Sequence, residues 1–246
     1  MNNLSLIERS RILELSQESL FEESEDASSC RDYLKTRGVS KKIVKDFGIG
    51  YVPRRVSHFL NDRLILPVRY IDGELAYLTT RKFRDMSSNR GHWHESFDKS
   101  IFFFCHPDAY KAAYDKKLAI VVEGQFDCIS VAALGHINTF SILGSNFSKK
   151  QMMLLFSMFK NVILFFDNDE AGRISSDKVF DLFFKEKLYK KGFSLSKWPK
   201  YEAKDPDDMC RNKNADIAKE YLDSTISKIL GEINVRRNIK ASVFDF

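Results

Sequence analysis

Four short runs, LAIVV (118–122), NTFSIL (138–143), NVILFF (161–166) and GFSLSKW (192–198), alternate with stretches of helical spacing and constrain this chain more than any other feature. Strand alternating with helix is the pattern of parallel strands joined by crossovers, and runs this apolar belong in a sheet covered by helices. The intervening segments fit. QFDCISVAALG has helical spacing and stops at Gly135, Ser148 caps KKQMMLLFSMFK, and 170–187 carries apolar residues at Ile174, Val179, Leu182 and Phe183. The stripe Met152, Met153, Leu155, Phe156 and Met158 reads as core packing rather than a cofactor box.

The texture upstream is different. Residues 4–20 form an amphipathic helical pattern, and EESEDASS (22–29) has the composition of a solvated connection, placing a boundary near 25. CRDYLKTRGVSKKIVKDFGIGYVP then predicts a compact helix-turn-helix unit: one helix ends at Gly38, and the next opens at Ser40 and stops at Gly48. RLILPVRY and ELAYLTTRKF, joined by Asp72-Gly73, predict a hairpin, with IFFFC (101–105) as a third strand of an antiparallel region with basic rims. The segment from Asn214 to about Gly231 reads as helix, and RRNIKASVFDF as a loosely held tail. The whole is an α/β chain with an α+β N-terminal part. Its divisions are 1–27 (helix and linker), 28–115 (mixed helical and antiparallel β subdomain), 116–210 (Rossmann-like parallel sheet) and 211–246 (helix and tail).

Several classes are excluded. The longest apolar runs are 101–105 and 162–166, far short of the roughly 20 residues of a membrane span, so a soluble chain is expected. The N-terminus lacks the layout of an export signal. The four cysteines, at 30, 105, 128 and 210, form no CxxC pair of the kind a zinc ribbon needs and read as reduced thiols of a cytoplasmic protein. A net charge of +5 is compatible with a polyanionic partner without requiring one. His92 and His94 offer only two ligands at i, i+2 and read as polar loop residues, with Trp93 placed to stack on a base.

Chemistry concentrates at the strand ends. Glu123 follows LAIVV and Asp167 follows NVILFF, which sets both acids at the carboxyl edge of the sheet, where open α/β sheets place their sites. Asp169, two residues on, points the same way if the chain stays extended. Carboxylates packed this closely resist ionising together, so a divalent cation is the natural partner, and Mg²⁺, an oxygen-seeking ion, fits best. Gly124 and Gly172 flank these acids and permit close backbone approach. The bland alternative is that Glu123 and Asp167 each cap the helix that follows.

These segments resemble the topoisomerase–primase (TOPRIM) domain, with Glu-Gly-x-x-Asp after the first strand and Asp-x-Asp-x-Ala-Gly after the third. DNDEAGR is similar to the DnaG class of bacterial and phage primases, as is AKDPDD (203–208) downstream. YLKTRGVSKKIVKDFGIGYVP resembles the helical opening of the primase RNA-polymerase domain, and RLILPVRYIDGELAYLTTRKF its basic strand pair; together these cover roughly 30–210.

The resemblance implies a DNA primase core that makes short RNA primers on single-stranded DNA by metal-dependent nucleotidyl transfer from ribonucleoside triphosphates. It implies Mg²⁺ or Mn²⁺ held by Glu123, Asp167 and Asp169, with Asp127, Asp205 and Asp207 in support. Arg63 and Arg81 match basic positions of the family. Arg69, Lys82, Arg84, Lys99 and Lys204 complete the basic set expected to hold template and phosphates. Departures are also visible. The family's N-terminal zinc-binding domain has neither cysteines nor room before residue 30, so no zinc is expected and a separate zinc-binding subunit or replicative helicase becomes a candidate partner. In place of the family's Asn-Ser-Pro-Glu-Thr segment and downstream Lys stands HWHESFDKSIFFF, with Phe104 near the Lys position and Lys99 nearby. A core stripped in this way implies a phage or mobile-element protein. The competing readings are a TOPRIM metal-dependent nuclease, in which water replaces the 3′-hydroxyl, and a non-catalytic module that binds nucleic acid or a replisome partner.

Overall fold

The computed structural model describes residues 4–84, 92–144, 146–212 and 214–244. Three N-terminal helices come first: α1 (Leu6–Ser19), α2 (Glu25–Thr36) and α3 (Lys41–Phe47). Each opens on a serine, Ser5, Ser24 or Ser40, whose hydroxyl accepts a backbone N–H of the first turn. The acidic run at 22–29 is therefore less a connection than a helix start. Ser24 caps α2, Glu25 and Asp26 sit in its first turn where the helix dipole favours them, and Ala27 and Cys30 are fully buried. Gly48 ends α3 in the left-handed region at φ 67°.

A four-stranded antiparallel sheet follows in the order β1 (Gly50–Val52), β2 (Arg63–Arg69), β3 (Leu75–Lys82), β4 (His92–His94). The β2–β3 hairpin turns at Asp72-Gly73 as expected, with Gly73 at φ 90°. Residues 92–94, expected in a loop, instead form β4 against β3; their side chains lie outside the described part of the structure.

The segment 101–105 does not join this sheet. Residues Lys99–Ile101 make a single 3-10 turn, and within the run only β5 (Phe104–Cys105) is strand; it pairs antiparallel with a strand of the second sheet. Phe103 and Phe104 are buried on opposite faces of that second sheet, while Phe102 packs with Val68 and Ala76 of the first, so the aromatic run joins the two sheets, a role that its apolar character alone does not distinguish from a strand.

The second sheet has the order β5-β7-β6-β8-β9, with β6 (Leu118–Val122), β7 (Thr139–Ser141), β8 (Asn161–Leu164) and β9 (Ser194–Lys197) parallel to one another. β6 and β8 are wholly buried. Helices α4 (Ala109–Lys116), α6 (Lys149–Met158) and α7 (Glu170–Lys185) contribute to one apolar cluster with Phe140, Phe156 and Phe183. α5 (Gln125–Ala133) packs in the other cluster with α8 (Pro206–Asn212), α9 (Ala215–Phe244) and the N-terminal helices. α9 runs 30 residues, so the segment expected to be a loose tail continues as helix, and Ile229 and Ile233 are buried in the core. Ile174 of α7 faces outward at 44% exposure, while Val179 and Phe183 carry the buried face. In the methionine-rich stripe Met152, Leu155 and Phe156 are buried and Met153 is on the rim. No helix among the described residues is long and apolar enough to cross a membrane.

Candidate active site

Parallel pairing of β6 with β8 brings the residues after both strands to one edge. The ladder continues one step past β8, Phe165 N donating to Val121 O at 2.8 Å, and then Asp167 N donates to Glu123 Oε1 at 3.4 Å. Glu123 is held from the other side by its backbone carbonyl, which accepts Ser141 Oγ at 2.9 Å and Gly144 N at 3.3 Å. Neither acid caps a helix. Gly124 occupies the N-cap of α5, and its N–H goes to Asp127 Oδ2 at 2.9 Å. The cap of α7 is Asp169, whose Oδ1 accepts Gly172 N at 2.8 Å.

Gly172 is required by the backbone beside it, and Gly124 leaves room for the Asp127 carboxylate. A Cβ on Gly172 would stand 2.2 Å from Asp167 O, and one on Gly124 would stand 2.6 Å from Asp127 Oδ2. Only a residue without a side chain lets α7 start directly beneath Asp167.

Burial and crowding hold these acids away from ordinary carboxylate behaviour. Glu123, 8% exposed, is pushed up to about 7 by burial and then by the charges of Asp167 and Asp169. Asp167 rises to about 6 through burial, Asp205 and Asp169, against the pull of Lys204. Asp127 rises to about 8 through burial and then Asp167. Asp167 Oδ1 is buried and has no hydrogen-bond partner. A buried bare carboxylate oxygen is costly unless something positive meets it.

The remaining acids are arranged differently. Asp127 spends both oxygens on backbone N–H groups, Gly124 at 2.9 Å and Asp207 at 3.0 Å. Asp207, 3% exposed, accepts Ser130 Oγ at 2.6 Å and Arg37 Nη1 at 2.6 Å, and Arg211 Nε lies 3.0 Å away as an ion pair. These two acids tie α5, α8 and α2 together. Asp205 Oδ1 caps α8 by accepting Asp208 N at 2.7 Å. Among the described residues no three His, Cys, Asp or Glu side chains close into a finished metal cluster. The bare oxygen of Asp167 beside Glu123 is what fits a hard divalent cation, with Asp169 and Asp205 at hand. Asp127 and Asp207 fit as the second layer that fixes the frame.

A cavity of about 590 Å³ opens in front of Glu123 and Asp167, roofed by β3 and the 3-10 turn. Its rim carries Arg81, Lys99 and Lys204, and also Arg37 and Arg211.

A family model described as Toprim-like matches residues 120–210. The DNA primase of Thermotoga maritima is 26% identical over 271 aligned positions, covering 95% of this chain and 47% of its own length. That of Rickettsia conorii is 24% identical, covering 79% and 38%. The chain thus spans about half or less of the curated relatives it matches. Among solved structures, the Aquifex aeolicus primase with its zinc-binding and RNA polymerase domains matches at a TM-score of 0.77 and 22% identity, over 91% of this chain and 60% of that one. The DnaG primase catalytic domain bound to single-stranded DNA matches at 0.72 and 21%, over 91% and 80%. The chain has the fold of the DnaG-type primase catalytic core.

Within that primase fold the expected basic residues divide. Arg81, Lys99 and Lys204 reach the cavity, and Arg81 lies over the Phe126 ring at 5.1 Å. Burial lowers the Lys99 ammonium from its ordinary 10.5. Arg63, Arg69, Lys82 and Arg84 are not part of the cavity wall. Arg63 and Lys82 face each other across the β2–β3 ladder, Arg69 Nη1 donates to Gly73 O at 3.0 Å, and Arg84 pairs with Asp26 at 2.6 Å. Sequence pattern does not single out Arg37 and Arg211. Arg37 sits where the local pattern signals only a helix end and Arg211 follows a segment with no apolar periodicity, so only the fold of α2 and α8 onto α5 brings them to Asp207.

Proposed function

We propose that this primase-type core synthesises short RNA primers on single-stranded DNA, joining ribonucleotides by nucleotidyl transfer that depends on Mg²⁺ or Mn²⁺. The observation that carries the reading is the buried, unpartnered oxygen of Asp167 beside Glu123 at the floor of a cavity with a basic rim. In the reaction a 3′-hydroxyl attacks the α-phosphate of the next nucleotide, the new P–O bond forms, and pyrophosphate leaves. Glu123 and Asp167, with Asp169, would hold the divalent cation, which supplies charge neutralisation at the phosphate oxygens when bound. Arg81, Lys99 and Lys204 neutralise and orient phosphates from the rim, a positioning role for which fixed cations are well suited. Phe126 stiffens Arg81 through its ring. Arg63, Arg69, Lys82 and Arg84, outside this wall, serve as electrostatic attraction for template backbone rather than as contacts to the reacting nucleotide.

The test is a template-dependent assay with labelled ribonucleotides, labelled mixed-sequence single-stranded DNA and either cation, run beside Glu123→Gln and Asp167→Asn. Short RNA products that vanish in both variants support the proposal. Cleavage of the DNA with no synthesis sinks it in favour of hydrolysis, and template binding with neither activity sinks it in favour of a binding module.

A further inference from the structure

The edge of the parallel sheet opposite the acidic site has its own chemistry. Three consecutive strand starts are joined there by backbone hydrogen bonds. Asn161 N donates to Lys117 O at 3.2 Å and Ser194 N to Lys160 O at 2.9 Å, so the starts of β6, β8 and β9 form one continuous ledge. The segments that feed this ledge, 114–117, 160 and 184–191, carry seven lysines against two acids, Asp115 and Glu186. All seven lysines are exposed, and Glu186 is held by Lys149 at 2.6 Å.

Part of this excess has an ordinary cause, since α4 and α7 end here and lysine suits a helix C-terminus. Lys190 and Lys191 lie beyond the end of α7, on the single 3-10 turn Leu188–Lys191, and the backbone at two other lysines needs its own account. Lys117 and Lys187 both hold φ 53°, in the left-handed region where glycine or asparagine is favoured and lysine is strained. Two helix exits that would be more stable with glycine carry lysine, and both are on this ledge. Beside them stand exposed aromatic rings: Phe184 at 55% and Tyr189 at 38% exposure, 5.7 Å apart, and Tyr114 at 68% on the last turn of α4.

Clustered cations beside exposed aromatic side chains match single-stranded nucleic acid, whose phosphates meet lysines and whose bases stack on aromatic rings. We infer that the amino-terminal edge of the parallel sheet is a second binding surface for single-stranded nucleic acid, separate from the catalytic cavity. Its choice of partner rests on the nucleic-acid function proposed above, while its location rests on the ledge alone. β6 separates the two edges by roughly 17 Å at about 3.4 Å per residue, so the surface engages a part of the strand displaced from the reacting end.

The experiment measures direct binding of fluorescent mixed-sequence single-stranded DNA, as a short and a long oligonucleotide, by anisotropy across a salt series. The variants are Lys187→Gly, the triple Lys187→Gln, Lys190→Gln, Lys191→Gln, and the pair Phe184→Ser, Tyr189→Ser, with Arg81→Ala and Lys99→Ala reporting the cavity. The expected result is roughly tenfold weaker binding of the long oligonucleotide by the triple variant, with a salt slope shallower by about 0.7 for each phosphate that no longer meets a lysine. Affinity for the short oligonucleotide and dinucleotide synthesis stay at wild-type level. Lys187→Gly separates function from folding: it raises the melting temperature while weakening binding. Unchanged affinity and slope in the triple variant overturn the inference. If polyglutamate binds as tightly as DNA and the ring variants change nothing, the ledge is an acidic-protein surface and the nucleic-acid assignment falls. Loss of synthesis in Glu123→Gln with ledge binding intact would bear on the cavity alone, so the two readings fail independently.

Discussion

Glu123 carries an electrostatic penalty that the fold tolerates. A carboxyl raised from 4.5 to about 7 binds its proton more tightly in the folded than in the unfolded chain, so stability falls as pH rises between those values. The penalty is absent below about pH 4 and complete above about pH 7, where it amounts to roughly 3 kcal/mol. In a chelator, Glu123→Gln is therefore expected to be more stable than wild type at pH 8 by about 2–3 kcal/mol and equal to it near pH 4. Urea midpoints at the two pH values check this. Millimolar Mg²⁺ should raise the wild-type midpoint at pH 8 and leave that of the variant nearly unmoved; equal response of both would remove Glu123 from the cation site. Gly172 offers a second test at the same scale. Alanine in a helix ordinarily gains up to about 1 kcal/mol over glycine. Here its methyl would lie 2.2 Å from Asp167 O, and such overpacking costs about 1–3 kcal/mol. The clash wins, so Gly172→Ala lowers the urea midpoint and blunts the Mg²⁺ response by moving Asp167.

At the scale of elements, Asp207 joins three helices that are distant in sequence. Its carboxylate receives Ser130 from α5, Arg37 from the residue that ends α2, and Arg211 from within α8. Removing a buried charge that has three partners takes from Arg37 its ion pair and leaves Arg211 only the longer one to Asp208 at 3.9 Å, at a cost of about 3–5 kcal/mol. Asp207→Ala is expected to lose that much in urea unfolding, and Asp207→Asn, which keeps the shape and one acceptor, less. A loss below about 1 kcal/mol would mean that α8 is held by apolar packing alone. Such ties show why some elements are legible in the sequence and others are not. β6 and β8 declare themselves because both faces are buried, and α3 because Ser40 and Gly48 mark its ends. α8 does not, because AKDPDD has no apolar periodicity and its helix is fixed by Asp205 at the cap and Asp127 on the N–H of Asp207. The run 101–105 belongs to a different sheet from the one its position suggests, since an apolar stretch declares burial but not its neighbour. Glu123, Asp167 and Asp169 are located by strand ends alone; that Asp169 turns an oxygen to Gly172 depends on where α7 begins.

The molecule as a whole opposes an acidic sheet edge to a basic wall, and the cavity between them exists only because the two sheets are locked together. Gln125 Nε2 donates to Thr79 Oγ1 at 2.8 Å, and Thr79 in turn donates to Leu66 O at 2.6 Å, linking α5 to β3 and β2. Phe47 stacks on Phe104 at 5.5 Å, joining α3 to β5 of the second sheet. Arg81 and Lys99 thus line the cavity opposite Glu123 and Asp167 from β3 and the 3-10 turn, and in the proposed reaction they would hold phosphate. Replacing either by alanine removes one charge-assisted contact of about 1.5–3 kcal/mol to a bound phosphate, roughly a tenfold to hundredfold loss in affinity. Arg81→Ala and Lys99→Ala should therefore raise KM for ribonucleotide by about that factor, with the cation-induced stabilisation unchanged because the acids are untouched. Titrating a fluorescent nucleotide in Ca²⁺ reads the same loss without turnover. If KM holds while kcat falls, the two cations act on the transition state instead; if the Mg²⁺ response also disappears, the two walls are coupled through the subdomain contact and cannot be treated as independent halves of the site.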